Sequence, residues 1–186
     1  MLTMNKTAAI DVLGQYVHED SLTNHCIATG AVMKAVATHL GEDAQRWELI
    51  GILHDIDFEC IHGDMTQHGI RGAEILAQQG FDEDFVTIVQ GHNHLLHKNP
   101  YKRTVEIALQ ASDSVSGLVI ACARVKGGRL SDVTAKTVMK KAKERSFAAG
   151  CDRNRIALIE PIMDLPVFYD IAIQGLMECR NELGLT

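Results

Sequence analysis

Residues 49–59 read LIGILHDIDFE, an apolar run that ends in an adjacent histidine and aspartate. Upstream, Trp47 and Ile50 stand at helical spacing from His54, so that the three share one side of a predicted helix. Asp55 follows at once, and the segment after it has no helical period and is predicted to be a loop. A histidine and an aspartate therefore stand at the end of a helix whose apolar side we expect to be buried.

The rest of the chain also has the three-and-four spacing of apolar residues that is typical of helices. The helices are expected at about 6–17, 21–40, 42/43–54, 67–79, 82–92, 102–125 and 131/132–145, followed by two that begin after Asp152 and Asp164. The candidate N-caps are Ser21, Asp82, Ser131 or Asp132, Asp152 and Asp164, and Gly41 is expected to end the second helix. We predict one all-α domain over residues 1–186, with a core at about 21–125 and a helical C-terminal extension at about 126–186.

The composition limits the class of protein. A chain of 186 residues is long enough to bury a core, and its net charge of −6 argues against dedicated nucleic-acid binding. Five cysteines without C-x-x-C spacing favour free thiols in a reducing compartment. We find no signal sequence and no apolar run of the roughly 20 residues that a membrane span needs. We therefore expect a cytoplasmic protein that binds no membrane, and the sequence leaves its oligomeric state open.

Two more polar residues fall on the apolar sides of predicted helices. His25 lies on the apolar stripe of the second helix, and Asp113 lies in line with Leu109 in the helix over 102–125. A buried carboxylate without a positive partner is costly. Since no basic residue occurs at helical spacing before Arg124, a metal ion is the expected partner of Asp113.

Each of these residues has an ordinary structural explanation when it is considered alone. A single histidine on an apolar side is usually a hydrogen-bonded core residue, Asp113 could cap a helix or pair with Arg124, and a His-Asp dipeptide is common. Their joint position on three predicted helices favours a metal site, because helical bundles build such sites from side chains on facing helices. Imidazole and carboxylate ligands suit Mn, Fe, Co, Ni, Zn or Mg.

The order His25, His54-Asp55, Asp113, with the segments LIGILHDIDFE and ALQASDSVSGL (108–118), resembles the HD superfamily of metal-dependent phosphohydrolases. The resemblance covers about residues 21–125. It implies an HD-domain helical bundle, with the metal site between core helices and these four residues as metal ligands. The whole chain is similar to a group of predicted HD hydrolases of unknown substrate.

Two further histidines fit the pattern of the family's two-metal branch. His68 lies in QHGIRGAEIL (67–76), which is similar to the HG-x-x-GA segment of that branch, and His92 opens the string HNH. The resemblance implies one or two divalent metal ions, with Asp55 between them and with His68 and His92 on the second. Many relatives read His-Asp-Ile-Gly, whereas Asp57 replaces the glycine in this chain.

Four residues are candidates for a direct role in a reaction. We assign Asp57 as the catalytic group that accepts a proton from a metal-activated water, with capping of the following turn as its alternative. We assign His94, Arg71 and Arg103 to substrate binding, because they flank the proposed site in sequence and can contact a phosphate or a leaving group. Solvated surface charge is the ordinary alternative for the arginines, as an exposed loop position is for His94.

Three functions are compatible with this pattern. The first is a phosphohydrolase that acts on a small phosphate ester, with a nucleotide as one candidate, through a metal-activated water. The second is a di-iron oxygenase of the same fold, since relatives with the six-ligand pattern cleave C–C or C–P bonds with two irons. The third is a non-catalytic metal-binding sensor domain, for which a metal closed off by protein ligands is expected. The expected partner is a small phosphorylated molecule.

Overall fold

The described part of the chain, residues 4–186 of a computed structural model, is helical and contains no β-strand. The predicted all-α fold class is therefore confirmed. In chain order the α-helices are α1 Lys6–Leu13, α2 Asp20–Leu40, α3 Ala44–Leu53, α4 Ile70–Gln78, α5 Glu83–Gln90, α6 Thr104–Arg124, α7 Ala135–Ala142, α8 Arg153–Ala157 and α9 Leu165–Glu178.

Several helix ends lie where local sequence signals predict them. Gly41 ends α2 with a φ of 73°, a left-handed conformation that favours glycine. Asp82 and Asp152 accept hydrogen bonds from backbone N–H groups in the first turns of α5 and α8. These ends are confirmed, and Asp164 likewise precedes α9, although its side chain makes no capping hydrogen bond.

Two predicted N-caps are wrong. Glu19 occupies the N-cap position of α2, so that Ser21 lies inside the helix. Thr134 caps α7 because its hydroxyl accepts a hydrogen bond from the first turn. The predicted caps Ser131 and Asp132 lie instead in a separate 3-10 turn.

The helices α2 and α3 approach each other closely, which brings two histidines together. A Cβ on Gly51 of α3 would lie 2.6 Å from the Cα of Gly30 in α2, so that the backbones meet with no side chain between them. The rings of His25 and His54, which belong to α2 and to the end of α3, consequently lie 5.2 Å apart between centroids. This close contact positions the two histidines of the site.

The helices of the C-terminal extension pack on the core helices. α9 packs against α2 and α6, and α8 packs against α6. A Cβ on Gly175 of α9 would lie 2.6 Å from the carbonyl oxygen of Ala31 in α2, which shows how closely the extension lies on the core. The division of the chain at about residue 125 stays a prediction.

The helix α6 has the length and composition of a membrane-spanning segment, with a mean hydropathy of 1.3 over its most apolar stretch. The expectation that no such apolar run exists is therefore wrong. In the structure, 67 % of that stretch is buried against the neighbouring helices α2, α7, α8 and α9. Burial of this kind is what the core helix of a folded bundle requires.

Candidate metal centre

His54 lies at the C-terminal end of α3 with its ring fully buried. Its Nδ1 is 2.8 Å from the carbonyl oxygen of Gly51, which is an acceptor, so Nδ1 carries the hydrogen. The lone pair of the neutral ring is therefore on Nε2. That atom lies 3.3 Å from Oδ1 of Asp55, the next residue in the chain.

His25 of α2 and Asp113 of α6 complete the first group of candidate ligands. Nε2 of His25 is 3.1 Å from Oδ1 of Asp113 and 3.5 Å from Oδ2 of Asp55. Nε2 of His54 is 4.0 Å from the same Asp113 oxygen. Three helices thus direct two imidazoles and two carboxylates to one place, as the sequence predicts.

His68 and His92 approach the other side of the same aspartate. Their Nε2 atoms lie 3.4 and 3.1 Å from Oδ1 of Asp55, and 3.0 Å from each other. Nδ1 of His92 is 2.6 Å from the Val89 carbonyl oxygen, and Nδ1 of His68 is 2.8 Å from Oδ1 of Asp57. Because Nδ1 donates in both rings, each neutral ring presents an Nε2 lone pair to Asp55.

In their neutral forms His54, His68 and His92 all present Nε2 as an acceptor beside the Asp55 carboxylate, which fits a cation. Nε2 of His54 is buried and has no hydrogen-bond partner among residues 4–186. Five of the residues form two groups that share Asp55, namely His25 with His54 and Asp55, and Asp55 with His68 and His92. Asp113 lies beside the first group, next to His25. Buried imidazole and carboxylate ligands of this kind could hold one or two divalent metal ions.

Burial and charge divide the histidines into two kinds. Burial lowers the pKa of His54 to about 4, so that its ring is neutral at pH 7. Burial also disfavours the charged form of His68, but its hydrogen bonds to Asp55 and Asp57 outweigh this effect and raise its pKa to about 9. His68 thus carries a proton at neutral pH while no metal is bound.

The carboxylates of Asp55 and Asp113 are ionised because neighbouring groups outweigh the effect of their burial. Burial opposes the charge of Asp55, but the surrounding histidines outweigh it and hold its pKa well below the usual range. Burial likewise opposes the charge of Asp113, while the hydrogen bond from His25 and nearby positive charge hold its pKa below the usual range. Two ionised carboxylates are therefore available to a cation at pH 7.

We expect metal binding to release a proton from His68. A cation at Nε2 must displace the proton that a pKa of about 9 retains at pH 7. The apparent affinity should therefore weaken by about tenfold for each pH unit below 9. Titration calorimetry with Mn²⁺ in two buffers of different ionisation enthalpy measures the number of protons released.

The matched variants for this experiment are His68→Gln and His39→Gln, since His39 is an exposed histidine in the last turn of α2. His68→Gln should release about one proton fewer than the native protein. His39→Gln should behave as the native protein does. A binding heat that does not depend on the buffer would contradict the expected displacement.

Asp57 is fully buried behind His68 rather than open to the metal site. Its Oδ2 accepts hydrogen bonds of 2.7 Å from the backbone N–H groups of Gly69 and Gly72, at the start of α4, and its Oδ1 accepts one from His68. Because both oxygens are occupied, the structure corrects the assignment of Asp57 as proton acceptor. Asp57 instead caps the following helix and orients His68, which is the alternative that the sequence left open.

A cavity of about 190 Å³ opens on the metal site. It is lined by Asp55, Phe58, Met65, His68, His92, Asn93, His94, Asp113 and Arg155. The predicted substrate-binding residue His94 therefore borders the site, on an exposed turn after α5. Partial burial and the positive charge of Arg155 lower the pKa of His94, so that its ring is neutral at pH 7.

The two arginines that the sequence assigns to substrate binding lie outside this cavity. Arg71 pairs with Glu74 on the exposed side of α4, with a nitrogen–oxygen distance of 2.6 Å. Arg103 pairs with Asp84 at 2.8 Å and lines a different cavity. Both assignments are corrected, because nearer carboxylates hold these long side chains at the surface.

Arg155 of α8 is the cation that the sequence analysis missed. Its Nη2 donates to Oδ2 of Asp113 at 2.6 Å, so Asp113 has a basic partner other than Arg124, the one that the sequence left open. Because the two residues are 42 positions apart in the sequence, no local pattern predicts this pairing. The one signal that pointed to it was the positive charge of the C-terminal part of the chain.

Comparison with known proteins gives partial matches. Ribonuclease Y of Nitratidesulfovibrio vulgaris strain DP4 is 29 % identical over 112 residues, or 58 % of this chain and 21 % of that protein. An uncharacterised protein of Methanocaldococcus jannaschii is 33 % identical over 78 residues, which cover 39 % of this chain and 45 % of that protein. The tRNA (cytidine(56)-2'-O)-methyltransferase of Thermoplasma volcanium is 30 % identical over 88 residues, 47 % of this chain and 25 % of that protein.

The chain thus spans about a fifth of the length of the ribonuclease Y that it matches. No solved structure matches the chain. The HD domain, in contrast, matches residues 22–118, which is more than half of the chain and includes the two groups of ligands that meet at Asp55. By this match, and as the sequence resemblance implies, the chain belongs to the HD domain family of metal-dependent hydrolases.

Proposed function

We propose that this protein is a metal-dependent phosphohydrolase that cleaves a small phosphate ester, with a nucleotide as one candidate. The observation that carries the proposal is the cluster of imidazole Nε2 atoms around the Asp55 carboxylate, which opens on the 190 Å³ cavity. A divalent ion held there would lower the pKa of a water molecule and polarise a phosphoryl oxygen. Membership in the HD domain family supports the same class of reaction.

Two cavities of different size support a small ester as the substrate. The cavity at the metal site is below the range of about 300 to 1,000 Å³ that is usual for drug-sized ligands, and suits a phosphoryl group. A second cavity of about 640 Å³ is lined by Glu19, Ser21, Leu22, His25, Phe58, Glu59, His62 and Gly63. Phe58 lines both cavities, so the two are neighbours, and we propose that the rest of the ester lies in the larger one.

The side chains have separate tasks in this proposal. The Nδ1 hydrogen bonds of His54 and His92 to backbone carbonyls, and that of His68 to Asp57, hold the three rings with Nε2 toward Asp55. His94 is neutral and borders the cavity, so one ring nitrogen can accept a hydrogen bond from the ester and the other can donate one to its leaving oxygen. These groups orient the reactants before any bond is broken.

The sensor alternative is less well supported. A metal that serves only stability is usually enclosed by protein ligands, whereas this cluster faces a cavity. The di-iron oxygenase alternative uses the same six side chains, and the dependence on iron and oxygen distinguishes it from a hydrolase.

The proposal predicts phosphate release in an ester screen. Chelator-treated protein reloaded with Mn²⁺ should release phosphate from at least one nucleotide or sugar phosphomonoester, measured by a colorimetric assay. Short RNA is included as a phosphodiester, because relatives of this chain are named ribonuclease Y. The net charge of −6 favours small esters over long RNA.

The control for this screen is chelator-treated protein without added metal, which should be inactive because the cluster around Asp55 then lacks its cation. Equal phosphate release with and without metal would point to a contaminant. Release from no ester with any divalent metal would count against a phosphohydrolase and in favour of the two alternatives.

A further inference from the structure

A cation from outside the matched HD domain reaches the cavity at the metal site. Arg155 belongs to α8, beyond residues 22–118, and lines the cavity together with Asp55 and His92. Its side chain is 16 % exposed, so the charge is largely withdrawn from solvent. Among the described residues that line this cavity, Arg155 is the one arginine or lysine.

The guanidinium of Arg155 is held by two residues of α6. Nη2 donates to Oδ2 of Asp113 at 2.6 Å, and Nε donates to Oε1 of Gln110 at 2.8 Å. Gln110 is itself fully buried, and its Nε2 donates to the carbonyl oxygen of His92 at 2.8 Å. The arginine is therefore fixed relative to residues on both sides of the metal site.

This arrangement leaves part of the guanidinium available. An arginine has five N–H donors, of which Nε and one on Nη2 are used here. Nη1 makes no hydrogen bond to any residue in the described range 4–186. A guanidinium that is already oriented loses little freedom when its remaining donors bind an oxyanion.

We propose that Arg155 binds the phosphoryl oxygens of the substrate, so that the C-terminal extension supplies the anion-binding residue of the site. The inference rests on the proposed phosphohydrolase function. Arg155, which borders the cavity, thereby takes the substrate-binding role that the sequence assigned to Arg71 and Arg103, which lie elsewhere. A permanently charged, bidentate donor selects phosphate over neutral groups of similar size.

The rival explanation is that Arg155 only holds Asp113 in position. A residue with that role alone would affect metal binding when it is replaced, because Asp113 lies 3.1 Å from His25 in the candidate ligand set. A residue that binds phosphate would affect the phosphate affinity of the metal-saturated protein more than it affects the metal affinity. Measuring the two affinities separately distinguishes these roles.

The experiment compares the native protein with Arg155→Lys, Arg155→Gln and the control Arg129→Gln. Arg129 also belongs to the C-terminal extension, but it pairs with Asp132 at the exposed surface. Calorimetry gives the Kd for Mn²⁺, and then the Kd for inorganic phosphate with the Mn²⁺-loaded protein. Circular dichroism shows that each variant is folded.

For Arg155→Gln, measured with Mn²⁺-saturated protein, we expect a phosphate Kd that is about tenfold to a hundredfold higher, a larger change than that of the Mn²⁺ Kd, because a charge-assisted bidentate contact is lost. Arg155→Lys keeps the charge beside Asp113 but loses the fork, so its phosphate Kd should be intermediate. If Arg155→Gln fails to fold, the comparison of Arg155→Lys with the native protein decides whether Arg155 binds phosphate. Arg129→Gln should equal the native protein.

Three outcomes would overturn the inference. Unchanged phosphate affinity in both Arg155 variants would show that the residue does not bind the anion, while the phosphohydrolase proposal would stand. A loss of Mn²⁺ affinity in proportion to the loss of phosphate affinity would show that Arg155 only positions Asp113. Native Mn²⁺-loaded protein that binds no phosphate would contradict both the inference and the proposed function.

Discussion

Replacing Asp55 by asparagine will remove the metal from the protein and lower phosphate release on the order of a thousandfold or more. Asp55 belongs to both groups of candidate ligands, and its oxygens lie 3.1 to 3.5 Å from the Nε2 atoms of four histidines. Asparagine has nearly the same shape but no negative charge, and its amide binds metals poorly. Elemental analysis and the ester assay measure the two effects.

The Asp55→Asn variant also shows how much of the thermal stability comes from metal binding. Mn²⁺ at a hundred times its Kd should stabilise the native protein by about 2.7 kcal/mol, which raises its Tm by about 5 to 11 °C in a domain of this size. Asp55→Asn should show no such increase, because it lacks the ligand shared by both groups. Differential scanning calorimetry with and without Mn²⁺ gives the comparison.

Asp11→Asn is the matched control, since Asp11 is an exposed aspartate of α1. This variant should keep the metal content, the activity and the increase in Tm on Mn²⁺ addition. If Asp55→Asn retained full metal content and the full increase in Tm, Asp55 would not be a ligand, and the interpretation of the whole cluster would fail.

Protein reloaded with Mn²⁺, Co²⁺ or Ni²⁺ under strict exclusion of oxygen will turn over at least one ester from the screen. A hydrolase needs only the Lewis acidity of the metal, so redox-silent Mg²⁺ or Zn²⁺ should support the reaction as well. An oxygenase must pass electrons to oxygen, so only iron in air should support it. Because the six ligands are the same in both cases, the requirement for oxygen separates the two functions.

The measurement is phosphate release in an anaerobic chamber beside oxygen consumption in air, with iron-loaded protein in both arms. Asp55→Asn treated with the same metals gives the background of each arm. Turnover that occurs solely with iron and stops when oxygen is removed would establish the oxygenase and refute the phosphohydrolase. Turnover with Mn²⁺ or Zn²⁺ at the same rate in both atmospheres is the result that we expect.

The helices and the first group of ligand candidates were predictable because they depend on neighbours within one or two turns. The spacing of Trp47, Ile50 and His54 places the histidine on the buried side of α3, and the same argument applies to His25 and Asp113. A polar side chain on a buried face requires a partner. The pattern therefore predicted that these residues meet, and the structure brings them together.

His68 and His92 were predicted from family resemblance rather than from periodicity. They lie at the loops before α4 and after α5, where no helical stripe distinguishes a buried histidine from an exposed one. The role of Asp57 could not be predicted from periodicity either. The sequence left its two roles open, and only the folded chain shows that Gly69, Gly72 and His68 occupy both of its oxygens.

The sequence did not predict the partners of three arginines, namely Arg71, Arg103 and Arg155. Their side chains are long, and their partners depend on which carboxylate the packed helices bring within reach. Arg71 pairs with Glu74 and Arg103 pairs with Asp84, so neither reaches the site. Arg155 does reach it, although it lies on α8, 42 positions after its partner Asp113. Periodicity and helix ends follow from local neighbours and could be predicted from the sequence. The charge beside the metal site follows from the packing of α8 on α6, a long-range contact that only the tertiary structure determines.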